Sequence, residues 1–433
     1  MIKRLCFLLV WGVSSGASLS AHAAGFALIE QSASGFGNAY AGMSARADDA
    51  SIQFFNPASL SWLPPGKQII VGGSAILPSA KLRNAQANYI NPTTGALTPI
   101  AGNDGGDAAS LELVPNFYFA GDLNPDLKFG LGITVPYGLT SEYDNGWKGR
   151  YQALKSEVMT INVNPALSFK ASEKLSIGGG ISLQYVKAEL TNAIDARTMT
   201  SGLVTTDSYG KMKGDDISWG FNLGVLYKPW EGTALGASYR SHIKHKLEGE
   251  ASFRHASPIL ASRLSNSDIS ANLSMPETVS LSLAQQLNDR VELLADVTWT
   301  NWSRFKELRV QFDSSLPDNV TNTKWNDSYR FSLGGNYRYN DQLTLRAGVA
   351  YDQTPVPDAS HRTPRIPDAD RTWFAVGASW KLDPFNTIDV GYAYLRMKDS
   401  SINHSSEGAV RHNIQGEFSA RVDILSAQWS RSF

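Results

Sequence analysis

The chain has 433 residues, of which 42% are hydrophobic and 10% aromatic, and its formal net charge is −1. No basic excess points to nucleic acid, and a mean hydropathy of −0.22 is too polar for a bundle of membrane helices. The length exceeds one ordinary soluble domain but suits a single large β-barrel, whose strands alternate lipid-facing with lumen-facing residues and so average near neutral.

The N-terminus reads as a signal sequence over residues 1–23. Lys3 and Arg4 precede the apolar run LCFLLVWGV, and small residues end in the A-x-A site Ala21-His22-Ala23. The mature chain is then expected to start at Ala24. The only cysteine, Cys6, lies within the signal, so disulfide and thiol chemistry are excluded from the mature chain. No later stretch approaches 18 uninterrupted apolar residues, so no helix is expected to span a membrane. A closed barrel remains possible, because closure leaves no unpaired backbone edge in lipid.

Residues 24–66 are rich in Gly, Ala and Ser and lack period-2 alternation. They read as a small, tightly packed, partly helical segment ending at Pro64-Pro65-Gly66. From Lys67 to Phe433 the pattern becomes long alternating runs separated by turn residues. In VELLADVTW, Leu293, Ala295, Val297 and Trp299 oppose Glu292, Asp296 and Thr298; LTLRAGVAYD and RTWFAVGASWKL behave alike. Tight turns fall at 124–126, 172–174, 229–232, 287–290, 339–341 and 382–386. Long polar connections fall near 83–110, 139–156, 191–214, 253–270, 313–324, 355–366 and 399–413. Six short and seven long connections join 14 strands. The fold class predicted is therefore all-β: a 14-stranded antiparallel transmembrane barrel. The short turns face the periplasm and the long loops face outward. The last strand, VDILSAQWSRSF, ends on Phe433, and a terminal aromatic there resembles the signal read by the barrel-assembly machinery. Arg431 departs from the apolar residue usual on that face.

Several segments resemble the outer-membrane long-chain fatty-acid transporter (FadL) family: AGFALIEQSASGFGNAYAG, ADDASIQFFNPASL, PYGLTSEYDNGWKGRY, GFNLGVLYKPWEGTALGASYRSHIKHKLEG, LADVTWTNWSRFKELRVQF and AYDQTPVPDASHRTPRIPDADRTW. They span essentially the whole mature chain in order. The resemblance implies a monomeric 14-stranded barrel, plugged by an N-terminal hatch at residues 24–66, that admits hydrophobic molecules, long-chain fatty acids foremost. Some relatives import aromatic hydrocarbons such as toluene, so this cargo is the alternative. A structural or phage-receptor barrel is the rival from another class.

The resemblance also places candidate residues. Phe26, in the family's AGF start, either touches ligand or anchors the hatch. Asn56, Pro57 and Ala58 form the family's hatch motif, and either anchor the plug or gate it. Lys187 is a candidate partner for a carboxylate head group, unless Glu189 on the same face neutralises it. A second basic contact found in some relatives is replaced by Asn326, with Lys324 nearby. Gly130 and Gly132 mark either the inward kink that opens the barrel wall sideways or ordinary strand curvature. Tyr143, Trp147, Tyr151 and Leu154, in the loop at 139–156, form a docking site for a hydrophobic solute, a packing surface between loops, or a contact with outer-membrane lipopolysaccharide.

No enzyme motif, metal site or cofactor site is expected. His242 and His245 are three apart, which puts them on opposite faces of a strand, and G-x-S-x-G, H-E-x-x-H and P-loop patterns are absent.

Overall fold

The computed structural model describes residues 25–408 and 410–433, so the expected signal sequence lies outside the described residues. From Lys67 the chain forms 14 antiparallel strands. They are β1 (Lys67–Ile90), β2 (Glu112–Asn124), β3 (Leu127–Thr134 and Gly138–Glu142), β4 (Lys155–Ser172) and β5 (Leu175–Ile194). Next come β6 (Ser208–Tyr227), β7 (Thr233–Arg240 and Ile243–Arg254), β8 (Ser267–Met275 and Thr278–Gln286) and β9 (Val291–Thr300 and Glu307–Phe312). The last are β10 (Asn319–Asn322 and Ser328–Arg338), β11 (Leu343–Asp352), β12 (Arg371–Lys381), β13 (Asn386–Met397 and Ser400–Ser405) and β14 (Arg411–Ser432). Each strand pairs with its neighbours in sequence. The β1–β14 ladder closes the barrel from Gln68↔Ser432 to Ile90↔Arg411. Closure satisfies the backbone groups that an open sheet would leave bare in lipid.

The tight turns join strands where the sequence places them. Most long connections are shorter than read from sequence, because the strands run on as paired ribbons: β5 continues to Ile194 and β6 starts at Ser208; the one read at 355–366 is longer, since β11 ends at Asp352 and β12 starts at Arg371. Along each strand the apolar set faces out, as with exposed Leu293, Val297, Phe374, Val376 and Trp380. The alternate residues face the lumen and mix small and polar side chains, such as Ser332, Arg346, Ser426 and Gln428, with large apolar ones that meet the hatch.

Residues 25–66 fold inside the barrel as short 3-10 turns, Phe36–Asn38, Met43–Ala45, Ala50–Phe54 and Pro57–Trp62. Phe36, Tyr40, Met43, Ile52 and Leu60 are buried with lumen-facing Ile70, Tyr118, Trp373 and Ile424 in one core. Wall glycines permit this close fit. Gly178 and Gly224 are register partners on β5 and β6. A Cβ on Gly178 would lie 2.5 Å from the Ala58 nitrogen, and one on Gly224 would clash with Asn56 Oδ1.

Candidate functional site

Asn56, Pro57 and Ala58 sit in that glycine seat. The Asn56 Oδ1 accepts from the Ala58 N–H and so caps the turn that Pro57 begins. Its Nδ2 donates to the Ser44 carbonyl at 2.6 Å and to the wall carbonyl of Val225 at 3.0 Å. One side chain thus ties two hatch turns to β6.

The wall is interrupted where β3 breaks, at Val135-Pro136-Tyr137. Pro136 cannot donate to a ladder, so a strand is expected to fail there. The β2–β3 ladder ends at Phe117↔Ile133. The wall joins again above, where the Glu142 N–H donates to the Ala108 carbonyl. Between these points Glu112–Asn116 pair only with β1, which leaves a window between β2 and β3. The hatch supplies the missing partners. The Leu28 N–H donates to the Pro136 carbonyl at 2.8 Å, and the Gly138 N–H donates to the Phe26 carbonyl at 2.9 Å. Gln31 bonds both backbone groups of Val135. On the β4 side, the Tyr137 N–H donates to Thr160 Oγ1 at 3.0 Å, and the Thr160 hydroxyl returns a bond to the Tyr137 carbonyl.

Gly130 and Gly132 do not carry this break. Both lie in ladders that are continuous on each side, opposite Ala120 and Tyr118 on β2 and Ala166 and Asn164 on β4. They face the hatch: a Cβ on Gly130 would clash with Gln53 Oε1, and one on Gly132 would meet the Tyr118 ring at 3.1 Å. Their lack of a side chain makes room for the plug.

Two cavities lie on either side of Phe26. The upper one, about 70 Å³, is almost wholly apolar and is lined by Phe26, Leu139, Val158, Leu190, Leu247 and Phe305 among others. Phe26 itself is buried and sits edge-on to Trp302 at 4.8 Å and to Phe305 at 5.7 Å. The lower cavity, about 140 Å³, is lined by Ala27, Leu28, Pro136, Tyr137 and Trp302 and so abuts the wall break.

Arg365 stands at the upper cavity. It comes from the connection between β11 and β12, a segment with prolines at 355, 357, 364 and 367 that folds down into the barrel mouth. The Ser141 hydroxyl donates to the Arg365 carbonyl, and the Tyr143 hydroxyl donates to the Pro364 carbonyl at 2.7 Å. Arg365 is 8% exposed. It donates from Nη1 to Ser156 Oγ at 3.0 Å and to the Lys155 and Thr191 carbonyls. Among the described residues no carboxylate forms an ion pair with it. Burial lowers it to about 10, which leaves it charged at neutral pH.

Lys187 is not the head-group partner expected of it. Along β5 up to Lys187 the buried residues are Ser176, Ser182, Gln184 and Val186, whereas Ile177 and Ile181 are exposed to lipid. Odd-numbered Lys187 shares their outward face. Its ammonium lies 3.8 Å from Glu157 in a surface network with Lys155, while Glu189 pairs with Lys211. The signal was present in the sequence, since Lys187 follows apolar Leu183 and Tyr185 on one face. Asn326, taken as standing at the second contact, donates its backbone N–H to the Pro355 carbonyl.

The aromatic loop is likewise not an exposed docking surface. Trp147 is fully buried and stacks on Tyr143 at 4.1 Å. Leu154 packs into the same cluster, with Leu82, Ile402 and Phe418. Tyr151 stacks on His412 and donates to Asp207. These side chains build the roof over the mouth of the barrel. Arg365 was missed because no periodicity marks it; its segment shows only clustered prolines and arginines.

Residues 14–433 match the family model described as outer membrane protein transport protein (OMPP1/FadL/TodX). The chain is 31% identical over 406 residues to outer membrane protein P1 of Haemophilus influenzae, covering 87% of each. It is 29% identical over 431 residues to the long-chain fatty acid transport protein of Escherichia coli O6:H1, covering 92% of this chain and 93% of that one. In structure it is similar to a Pseudomonas aeruginosa FadL homologue, with a TM-score of 0.86 at 27% identity over 95% of this chain and 100% of the other. It shares its fold with the P. putida toluene transporter TodX, with a TM-score of 0.67 at 20% identity over 92% and 98% of the two chains. A closed barrel around a seated plug, with apolar cavities beside a wall break, thus has both a family and a compartment: the chain belongs to the outer membrane protein transport protein (OMPP1/FadL/TodX) family and is an outer-membrane transport barrel, not an enzyme.

Proposed function

We propose that this protein takes up long-chain fatty acids and releases them sideways into the outer membrane. The observation that carries the reading is Arg365, which is buried, lines an apolar cavity and has no ion pair with a carboxylate among the described residues. A fatty acid complements both features. Its carboxylate supplies the missing anion, and each buried methylene contributes about 0.8 kcal/mol. Phe26 separates the upper cavity from the lower one, so cargo passes when the segment 25–28 shifts. The same segment satisfies the wall break at 136–138, which couples that shift to opening of the window between β2 and β3. Exit into lipid avoids returning a long acyl chain to water, a cost on the order of 10 kcal/mol.

A second reading, uptake of neutral aromatic hydrocarbons, is favoured by the rings around the lower cavity: Phe54, Tyr137, Tyr239, Trp302 and Trp373. Uptake of labelled oleate and labelled toluene, in cells lacking their own transporter, separates the two. The fatty-acid reading expects oleate uptake that falls to near background in Arg365→Met. Toluene uptake with no oleate uptake above empty vector would overturn it.

A further inference from the structure

We propose that the lower cavity is a second carboxylate-binding station, with Arg330 and Arg240 as its cations. The inference rests on the carboxylate cargo proposed above and adds where the head group goes after Arg365. Both arginines line this cavity, together with Asn222, Ser238 and Thr278. Arg330, on β10, is 6% exposed. Its Nη2 donates to the hatch carbonyl of Ala39 at 2.8 Å, while Nε and Nη1 are buried without a hydrogen-bond partner. Its guanidinium lies 5.1 Å from the centre of the Trp373 ring. Arg240, at the break in β7, donates from Nη2 to the Phe54 carbonyl at 2.6 Å and packs over the Phe54 ring at 4.5 Å. Neither arginine has an ion pair among the described residues.

Two acids also line the cavity, and each is already engaged. Asp352 lies 3.2 Å from Arg371, and Asp296 accepts from the hydroxyls of Ser282 and Thr298. The unsatisfied capacity is therefore cationic and donor-rich. Buried donors left unpaired are costly, and a carboxylate oxygen at Nε or Nη1 of Arg330 removes that cost with a charge-assisted bond. Position gives the station its use. The cavity touches Pro136 and Tyr137 at the wall break on one side and Ala27 and Trp302 below Phe26 on the other. A head group that leaves Arg365 therefore meets a second cation before its tail reaches lipid.

The test is equilibrium binding of labelled palmitate and of labelled hexadecanol to the purified full chain in detergent. Wild type is compared with Arg330→Met, Arg330→Lys, Arg240→Met and Arg365→Met. The expected result is two classes of palmitate site. Arg330→Met and Arg240→Met weaken one class on the order of ten-fold and leave hexadecanol unchanged. Arg330→Lys restores much of the loss, and Arg365→Met weakens the other class. Because Arg330 also holds Ala39, hydrogen exchange of the hatch is followed in every variant. Loss of palmitate and hexadecanol binding together would assign Arg330 a structural role and overturn the station. Unchanged palmitate binding in the Arg330 and Arg240 variants would leave water as the partner of those donors and also overturn it. If wild type binds hexadecanol as well as palmitate, the carboxylate reading of the cargo itself fails. If only Arg365→Met removes the preference, that reading stands and the second station falls.

Discussion

The side-chain amide of Gln31 stands in for a missing strand at Val135: its Nε2 donates to the Val135 carbonyl at 2.7 Å, and its Oε1 accepts from the Val135 N–H at 3.2 Å. The two residues lie 104 positions apart, one in the hatch and one in the wall. The bond pair makes the wall break tolerable in lipid while the hatch is seated, since unpaired backbone groups there are costly. It also makes the break sensitive to any movement of the hatch.

Gln31→Leu removes both bonds and leaves two backbone groups without partners. The expected cost is about 2–4 kcal/mol, at about 1–2 kcal/mol for each group. Hydrogen exchange of residues 26–31 and 135–138 is expected to accelerate while the rest of the barrel stays protected. Protection equal to wild type would show that the amide pair is dispensable.

The glycine seat gives a second prediction. Gly224→Ala places a carbon against Asn56 Oδ1, and Gly178→Ala places one against the Ala58 backbone. Both are expected to lift the hatch and raise ion conductance in planar bilayers. Gly179→Ala is the control, because a carbon there meets only the flexible Leu223 side chain and backbone beyond 3 Å. Gly130→Val is expected to act in the same way, by pushing Gln53 and Leu60, not by straightening β3. Conductance like wild type in Gly224→Ala would show that the plug holds without its seat.

Lys187 and Arg365 are separated by which side of the wall they face. Oleate uptake is expected to fall at least ten-fold in Arg365→Met, for loss of a charged hydrogen bond of about 1.5–3 kcal/mol. Lys187→Ala is expected to leave uptake unchanged, because it removes only a surface ion pair. The same labelled-oleate assay reads both, and a loss in Lys187→Ala alone would reverse the assignment.

Glu30 gives a pH dependence. It lies fully buried in the hatch, and burial pushes its carboxyl up to about 7 from 4.5, against the lowering effect of Arg371 and Arg330. The folded chain therefore holds a proton here that the unfolded chain releases between pH 4.5 and about 7. Stability falls as pH rises through that window, by roughly 3 kcal/mol at about 1.4 kcal/mol per pKa unit. Glu30→Gln is expected to flatten this part of the profile. Thermal loss of the heat-modifiable gel mobility, followed from pH 5 to 8 for both proteins, checks it.

The strand pattern was legible from residue order alone, and the plug from the resemblance of residues 24–66 to a known family. Alternation in runs such as VELLADVTW sets which residues share a face, because side chains in a strand repeat every second position. Turn residues at 124–126 or 339–341 set where strands end, and counting them leads to 14 strands. These are local properties, decided within a few residues. The tertiary structure alone decided which partners meet. Gln31 reaches Val135, Asn56 reaches Val225, and Arg365 descends to the apolar cavity beside Phe26. The aromatic loop at 139–156 looked exposed because the residues that bury it, such as Leu82 on β1, Ile402 on β13 and Phe418 on β14, lie far away in the chain. Each of these contacts joins segments far apart in the chain, and no periodicity encodes them. They arise from closing the wall around the hatch, where every buried polar group must find a partner that its own segment does not supply.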